Sequence, residues 1–263
     1  MITVQSGYAT DIGRLRSVNQ DSLLAARGVF AVADGMGGHA AGEVASRLAI
    51  ARLTRLAERD EFHPDDVRGE LIAANEDILA LVREHPENDG MGTTVAGLGV
   101  VCVAGADHWV VFNVGDSRVY RFVNGVLDQV TVDHTEVAEL VAAGAVAAED
   151  ARSHPRRHVV TRALGSDPAP EPDVWLFPPT AGERFLICSD GLFLELSEAE
   201  IAVLLRSQPV AQVAAEELVR RAKAYGGRDD VTVIVVDYAA ADRAFGDGAA
   251  FDGNAAFDDT LPR

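Results

Sequence analysis

HWVVFNVGDSRVYRFVNGVLDQV, residues 108–130, decides the fold class. Val, Phe, Tyr and Trp crowd the run HWVVFNVGDSRVYRF, and β-branched and aromatic side chains favour pleated strands. Asn124-Gly125 then separates RVYRFV from VLDQV. This pair supplies the positive φ angles of a type I′ turn, so the chain is predicted to fold back here as an antiparallel hairpin. The same composition marks VFAVADG, TTVAGLGVVCVAG, RFLICSDG and VTVIVVDY as further strands.

Outside the strands the apolar period changes. Val44, Leu48, Leu53 and Leu56 recur as on one helix face, and Val67, Leu71, Ala74, Ile78 and Leu81 do so again, which predicts two amphipathic helices. Ser197 followed by Glu200 reads as a capping box opening a helix over Glu198–Leu205, and a second helix is predicted to end near Gly226-Gly227. Hairpins in place of alternating βαβ units point to an α+β class, with antiparallel sheets covered by helices. One domain is expected over residues 1–238. From Ala239 the composition turns to Ala, Gly and Asp with Phe245, Phe251 and Phe257 evenly spaced, so residues 239–263 are expected to be a disordered acidic tail.

The bulk properties narrow the function classes. The chain has 263 residues, 48% of them hydrophobic and 24% charged, which is the balance of a folded water-soluble protein. A net charge of −18 disfavours nucleic acid and anionic membranes as partners, since both are bound through clustered Lys and Arg. The tail carries five Asp and two Arg, so −15 of that charge belongs to the folded part. Cys102 and Cys188 each stand in an apolar run and are expected to be buried free thiols in a reducing compartment. MITVQSGYATDIG has no basic region followed by an apolar stretch, so no secretion signal is expected and the cytoplasm is the expected location. The run Val95 to Ala106 falls short of the roughly 20 apolar residues that span a bilayer.

Four predicted strands have an aspartate at an end, beside glycine or another small or polar residue: Asp34 in VADGMGGH, Asp116 in NVGDSR, Asp190 in CSDGL and Asp229 in GRDDVT. Singly, each could cap a turn. Converging, they would repel one another unless hard divalent cations, Mn²⁺ or Mg²⁺, compensated them. Two such cations can lower the pKa of a water and neutralise charge during attack on phosphorus. No protein nucleophile is then needed, and the sequence has no GxSxG elbow or cysteine in an evident electropositive setting.

In order, GRLRSVNQDS, VFAVADGMGGHAAGEVAS, GMGTTV, VGDSRVYR, VDHT, HPRRHVVTRALG, FLICSDGL and DDVTVIVV resemble the metal-dependent PPM family of protein serine/threonine phosphatases, also called the PP2C type, in its compact bacterial form. The resemblance covers about Gly7 to Tyr238. It implies a four-layer α-β-β-α sandwich, two antiparallel sheets flanked by pairs of antiparallel helices, with a two-metal centre at one end. Asp34 would bridge the metals, the Gly35 carbonyl would hold one, and Asp190 with Asp229 the other. Asp21 would act through water. Asp116 and Asp190 match a weaker third metal site beside a mobile flap placed around Gly144 to Val160, and Ser153 is placed near that third site. Arg16 would grip phosphate with its planar fork of donors. His39, in GGHAAGE, would protonate the departing serine or threonine oxygen.

Thr93 and Thr94 are expected to pack and hydrogen bond beneath the site, and His134 and His154 are given no catalytic role. Three positions depart from the family pattern: Asp230 replaces the usual Asn, Leu194 stands where bacterial relatives often carry Asp, and His158 replaces Asn or Ser. The implied partners are phosphorylated proteins, including serine/threonine kinases and their substrates. Two other readings share the residues, a phosphoprotein-binding pseudophosphatase and a metal-dependent hydrolase of small phosphate esters. Thr260 in DDTLPR is a candidate phosphorylation site.

Overall fold

The computed structural model describes residues 2–37 and 41–239. In chain order it has β1 (Thr3–Asp11), β2 (Asp21–Ala26), β3 (Val29–Met36), α1 (Ala41–Ala57), α2 (Pro64–Glu84), β4 (Gly92–Thr93), β5 (Val95–Val103), β6 (Ala106–Val114), β7 (Arg118–Val123) and β8 (Val126–Gln129). Then follow α3 (Glu136–Ala142), β9 (Asp173–Phe177), β10 (Arg184–Cys188), α4 (Asp190–Phe193), α5 (Glu198–Ser207), α6 (Ala211–Tyr225) and β11 (Val231–Ala239).

The strands form two antiparallel sheets, one ordered β1-β11-β10-β7-β8 and the other β2-β3-β5-β6-β9, with β4 pairing β3. The β7–β8 hairpin forms as predicted, with φ of 51° at Asn124 and 82° at Gly125. Ser197 and Glu200 cap α5 reciprocally, Glu200 N donating to Ser197 Oγ and Ser197 N to Glu200 Oε2. That helix runs to Ser207, two residues beyond its predicted end, and β11 runs one residue past the expected domain limit at Tyr238.

Alternation along each strand assigns the layers. Val231, Val233 and Val235 face a core with Leu218 and Ala222 of α6, while Ile234 and Val236 face the other sheet. In β3, Val29, Ala31 and Ala33 pack under α1 and α2, whereas Phe30 and Val32 point between the sheets. Trp109 and Phe185 meet edge-on across that middle layer, ring centroids 5.1 Å apart. Arg52 of α1 pairs with Asp77 of α2, and Arg59, just past the end of α1, pairs with Asp66 in the first turn of α2, so the two helices are antiparallel. The result is the expected α-β-β-α sandwich.

Cys188 is buried in the helix-covered layer, and burial raises its thiol pKa. Cys102 is only half-buried, a correction to the sequence reading: it stands near the end of β5, where the strand runs out toward solvent at Ala104.

Candidate metal centre and its cleft

The middle layer changes character at one end of the sandwich. Continuing the inward positions of β3 past Phe30 and Val32 leads to Asp34, and continuing those of β2 past Ala25 and Leu23 leads to Asp21. The two aspartates are register partners across β2 and β3. Asp34 thus lies two residues inside its strand, not at the end. Asp116 occupies the turn between β6 and β7, Asp190 opens α4 directly after β10, and Asp229 precedes β11. Asp34, Asp116, Asp190 and Asp229 line one open cleft of about 1450 Å³, together with Arg16 and Gly35.

Neighbouring residues hold these carboxylates in place. Thr93 Oγ1 donates to the Asp34 carbonyl at 2.9 Å, and Asp34 N donates to Thr94 Oγ1 at 3.3 Å, so both threonines brace the strand beneath the site. Ser189 Oγ donates to Asp21 Oδ2 at 2.7 Å. Gly35 packs against Gly42 at the start of α1, where a Cβ on Gly35 would lie 2.1 Å from the Gly42 carbonyl oxygen. Only paired glycines let the helix settle on the strand this closely. Buried His134 accepts from Gly115 N at Nδ1 and reaches Asp173 with Nε2, pinning the turn that carries Asp116. Its role is structural.

The electrostatics favour a cationic guest. Burial, and then the charges of Asp21, Asp190, Asp116 and Asp229, hold Asp34 well above the usual carboxylate range. Burial and the charges of Asp116, Asp229 and Asp21 do the same to Asp190. Burial raises Asp21 to about 7, and burial with the charge of Asp133 raises Asp116 to about 6. Asp21 Oδ1 and Asp190 Oδ1 are buried without a hydrogen-bond partner. Buried Glu183 shows the contrast, taking donors from Trp109, Arg121 and the Thr180 amide. An all-oxygen donor set with orphaned carboxylate oxygens fits Mn²⁺ or Mg²⁺. Among the described residues no three such side chains are already drawn together as a ligand set, so the carboxylates border the cleft without closing on one point.

Other predicted site residues are placed differently. Arg16 lies in the cleft but is engaged with Asp229, Nε to Oδ1 and NH2 to Oδ2, both at 2.8 Å. Ser153 stands on a short 3₁₀ turn, Ala148–Ser153; its hydroxyl donates to the Asp150 carbonyl and it is not among the cleft-lining residues. The structure does not gather it with the carboxylates. His39 and Thr260 lie outside the described residues. Leu194 and His158 both line the cleft. Asp230 turns away from it, Oδ1 accepting from Gly13 N and Oδ2 from Gln20 N, each at 2.8 Å. The clamp made by Asp230 and the Ser189–Asp21 bond were missed from sequence, because each joins segments far apart in the chain.

A family model described as protein phosphatase 2C matches residues 14–225. The chain belongs to the protein phosphatase 2C family. This family member is 36% identical over 246 residues to the serine/threonine phosphatase stp of Listeria monocytogenes serovar 1/2a, a match covering 88% of this chain and 94% of the relative. The crystal structure of the Mycobacterium tuberculosis serine/threonine phosphatase PstP/Ppp is similar at a TM-score of 0.85 and 37% identity, over 91% of this chain and 100% of that one. A catalytic domain of PstP in complex with two manganese ions gives a TM-score of 0.82 at 36% identity, with the same shares covered. The phosphatase 2C member described here therefore has a family fold as well as a family sequence.

Proposed function

We infer that the protein hydrolyses phosphate from phosphoserine and phosphothreonine in other proteins and depends on two divalent cations, Mn²⁺ or Mg²⁺, to do so. The observation that carries this is the group of aspartates, Asp34, Asp116, Asp190 and Asp229, along one open cleft, with Asp190 Oδ1 and, beside Asp34 on β2, Asp21 Oδ1 buried and without a hydrogen-bond partner. Family membership and the two manganese ions of the PstP relative support it.

In this reading Asp34, the Gly35 carbonyl, Asp190 and Asp229 hold the two cations, and Asp21 acts through water. Cations bound there supply a water of lowered pKa and compensate charge on the phosphate. Arg16 holds two phosphate oxygens, and His39 delivers a proton to the leaving oxygen. Asp116 with Asp190 forms a weaker third site, without Ser153. We place the catalytic unit in residues 1–238. The open cleft suits a protruding side chain of a protein better than a fully enclosed small molecule. Serine/threonine kinases and their substrates are the proposed targets, in the cytoplasm. Among the described residues no helix is long and apolar enough to cross a membrane.

The test is hydrolysis of a phosphothreonine peptide with Mn²⁺, Mg²⁺ or EDTA, beside Asp34→Asn and Asp229→Asn and with glucose 6-phosphate as the competing substrate class. Metal-dependent peptide turnover lost in both variants is expected. A folded protein that binds the peptide without turnover, or one that prefers the sugar phosphate, would overturn the reading.

A further inference from the structure

One stretch beside the cleft runs against the acidity of the chain. ARSHPRRHVVTR, residues 151–162, holds four arginines and two histidines and no carboxylate, within a protein of net charge −18. This stretch is anchored at its far end, where Val160 bridges Thr135 and Thr161 N donates to the His134 carbonyl. Ala151, Arg152, Arg157, His158 and Val160 line the same cleft as the aspartates. The stretch therefore forms a basic wall beside the reacting end.

Two of its four arginines are already countered, Arg156 by Glu136 and Arg162 by Asp173. Arg157 donates NH1 to the His154 carbonyl at 3.2 Å, which orients the guanidinium without neutralising it. Arg152 is exposed, and among the described residues no carboxylate pairs with it, not even Glu149 or Asp150 in the same turn. Elsewhere in the cleft Arg118 is matched by Asp133 and Arg228 by Glu195. Burial and the charges of Arg157 and Arg228 hold the pKa of His158 below its usual range. Among the described residues, Arg152 and Arg157 are thus the arginines of the cleft that no side-chain carboxylate balances.

We propose that Arg152 and Arg157 form an anion subsite that reads acidic residues flanking the phosphorylated side chain, so that the preferred substrates are anionic phosphopeptide segments. The shared chemistry is an oxyanion facing a guanidinium fork, supplied either by Asp and Glu carboxylates or by a second phosphate. Two isolated arginines are too few to hold a nucleic acid against the repulsion of this chain. The proposal rests on the phosphatase reading and names the substrate class of the same site.

The experiment uses the full chain with Mn²⁺ and a set of phosphothreonine peptides identical but for their flanks: neutral, Glu-rich, Lys-rich, and one bearing a second phosphate as a non-hydrolysable phosphonate. The wild type is expected to favour both anionic peptides over the neutral one by about five- to twentyfold in kcat/KM, through KM, with the preference shrinking as salt rises. In the double variant Arg152→Ala/Arg157→Ala the anionic-to-neutral ratio should fall to about one. Arg152→Glu should shift preference toward the Lys-rich peptide, and circular dichroism confirms that each variant is folded. A wild type that turns over all peptides equally, or variants whose ratio is unchanged, would overturn the subsite alone. A wild type that hydrolyses none of them, nor p-nitrophenyl phosphate, would instead sink the phosphatase reading on which it rests.

Discussion

The guanidinium of Arg16 lies against the carboxylate of Asp229, donating from Nε and NH2 to the two oxygens at 2.8 Å each. The residue proposed to grip phosphate is thus paired with a residue proposed to hold a cation. A cation on Asp229 and a phosphate on Arg16 would each displace the pair, so site loading exchanges one ion pair for two new contacts. The pair is partly exposed, 43% and 31%, so solvent screening limits its strength to about 0.5 kcal/mol. Arg16→Ala should therefore bind Mn²⁺ about twofold more tightly by titration calorimetry while raising the peptide KM by about tenfold or more. Weaker Mn²⁺ binding in the variant would show that no such competition exists.

Asp230 explains why a departure from the family pattern is tolerated. It is buried, 4% exposed, and its two oxygens take the amides of Gly13 and Gln20, closing the loop that carries Arg16. An asparagine offers one acceptor where this carboxylate offers two. Asp230→Asn should cost about 1 kcal/mol in urea denaturation and Asp230→Ala about 2–4, since a buried donor left unpaired costs about 1–3. If the clamp acts through Arg16, the KM effects of Asp230→Ala and Arg16→Ala will not add in the double variant. Full additivity would assign Asp230 to stability alone.

Metal and proton compete for the same oxygens. Asp21 is raised to about 7 and Asp116 to about 6, above the ordinary value of 3.8 in both cases. Between those values the folded metal-free protein holds protons that the unfolded chain has released, so its stability falls as pH rises from about 4 to 7. Buried His134, with its pKa lowered, contributes with the opposite sign. The difference in melting temperature between Mn²⁺-loaded and EDTA-treated protein cancels that histidine and isolates the aspartates. It should widen steadily from about pH 5 to pH 8. A constant difference would mean that these carboxylates do not meet the cation.

The strands legible as dense apolar runs are those at the centre of the sheets, while the edge strand β8 was legible only through its Asn124-Gly125 turn. β3, β5, β6, β10 and β11 have neighbours on both sides and read as dense apolar runs. β1, β2 and β9, which sequence reading passed over, are edge strands with polar or half-exposed residues such as Gln5, Ser6 and Ser22. Their pattern is weak because one side meets solvent or loops. The aspartates were legible for a related reason, as charges at the ends of runs that are otherwise apolar. Their partners were not: Ser189 and Asp21 are 168 residues apart, and Arg16 and Asp229 213. Only the sandwich brings them together, so no local spacing announces them. Asp21 itself, on an edge strand, was identified only through family resemblance.

Two glycine substitutions separate a site-building glycine from a permissive one. A Cβ on Gly35 would meet the Gly42 carbonyl oxygen at 2.1 Å and the Gln20 carbonyl oxygen at 2.7 Å, both backbone atoms that cannot swing away. Relief would require α1 to lift from β3, carrying the Gly35 carbonyl out of its position in the cleft. Gly35→Ala should therefore lose about 3 kcal/mol or more and most activity together. Gly69, within α2, has no heavy atom within 4 Å of an added Cβ. Gly69→Ala should stabilise the helix by about 0.5–1 kcal/mol, because alanine loses less backbone freedom on folding, and leave turnover unchanged. Denaturation curves on the pair decide the point: a Gly35→Ala protein as stable as its Gly69→Ala counterpart would show that the close approach of α1 to β3 is not what fixes the cleft floor.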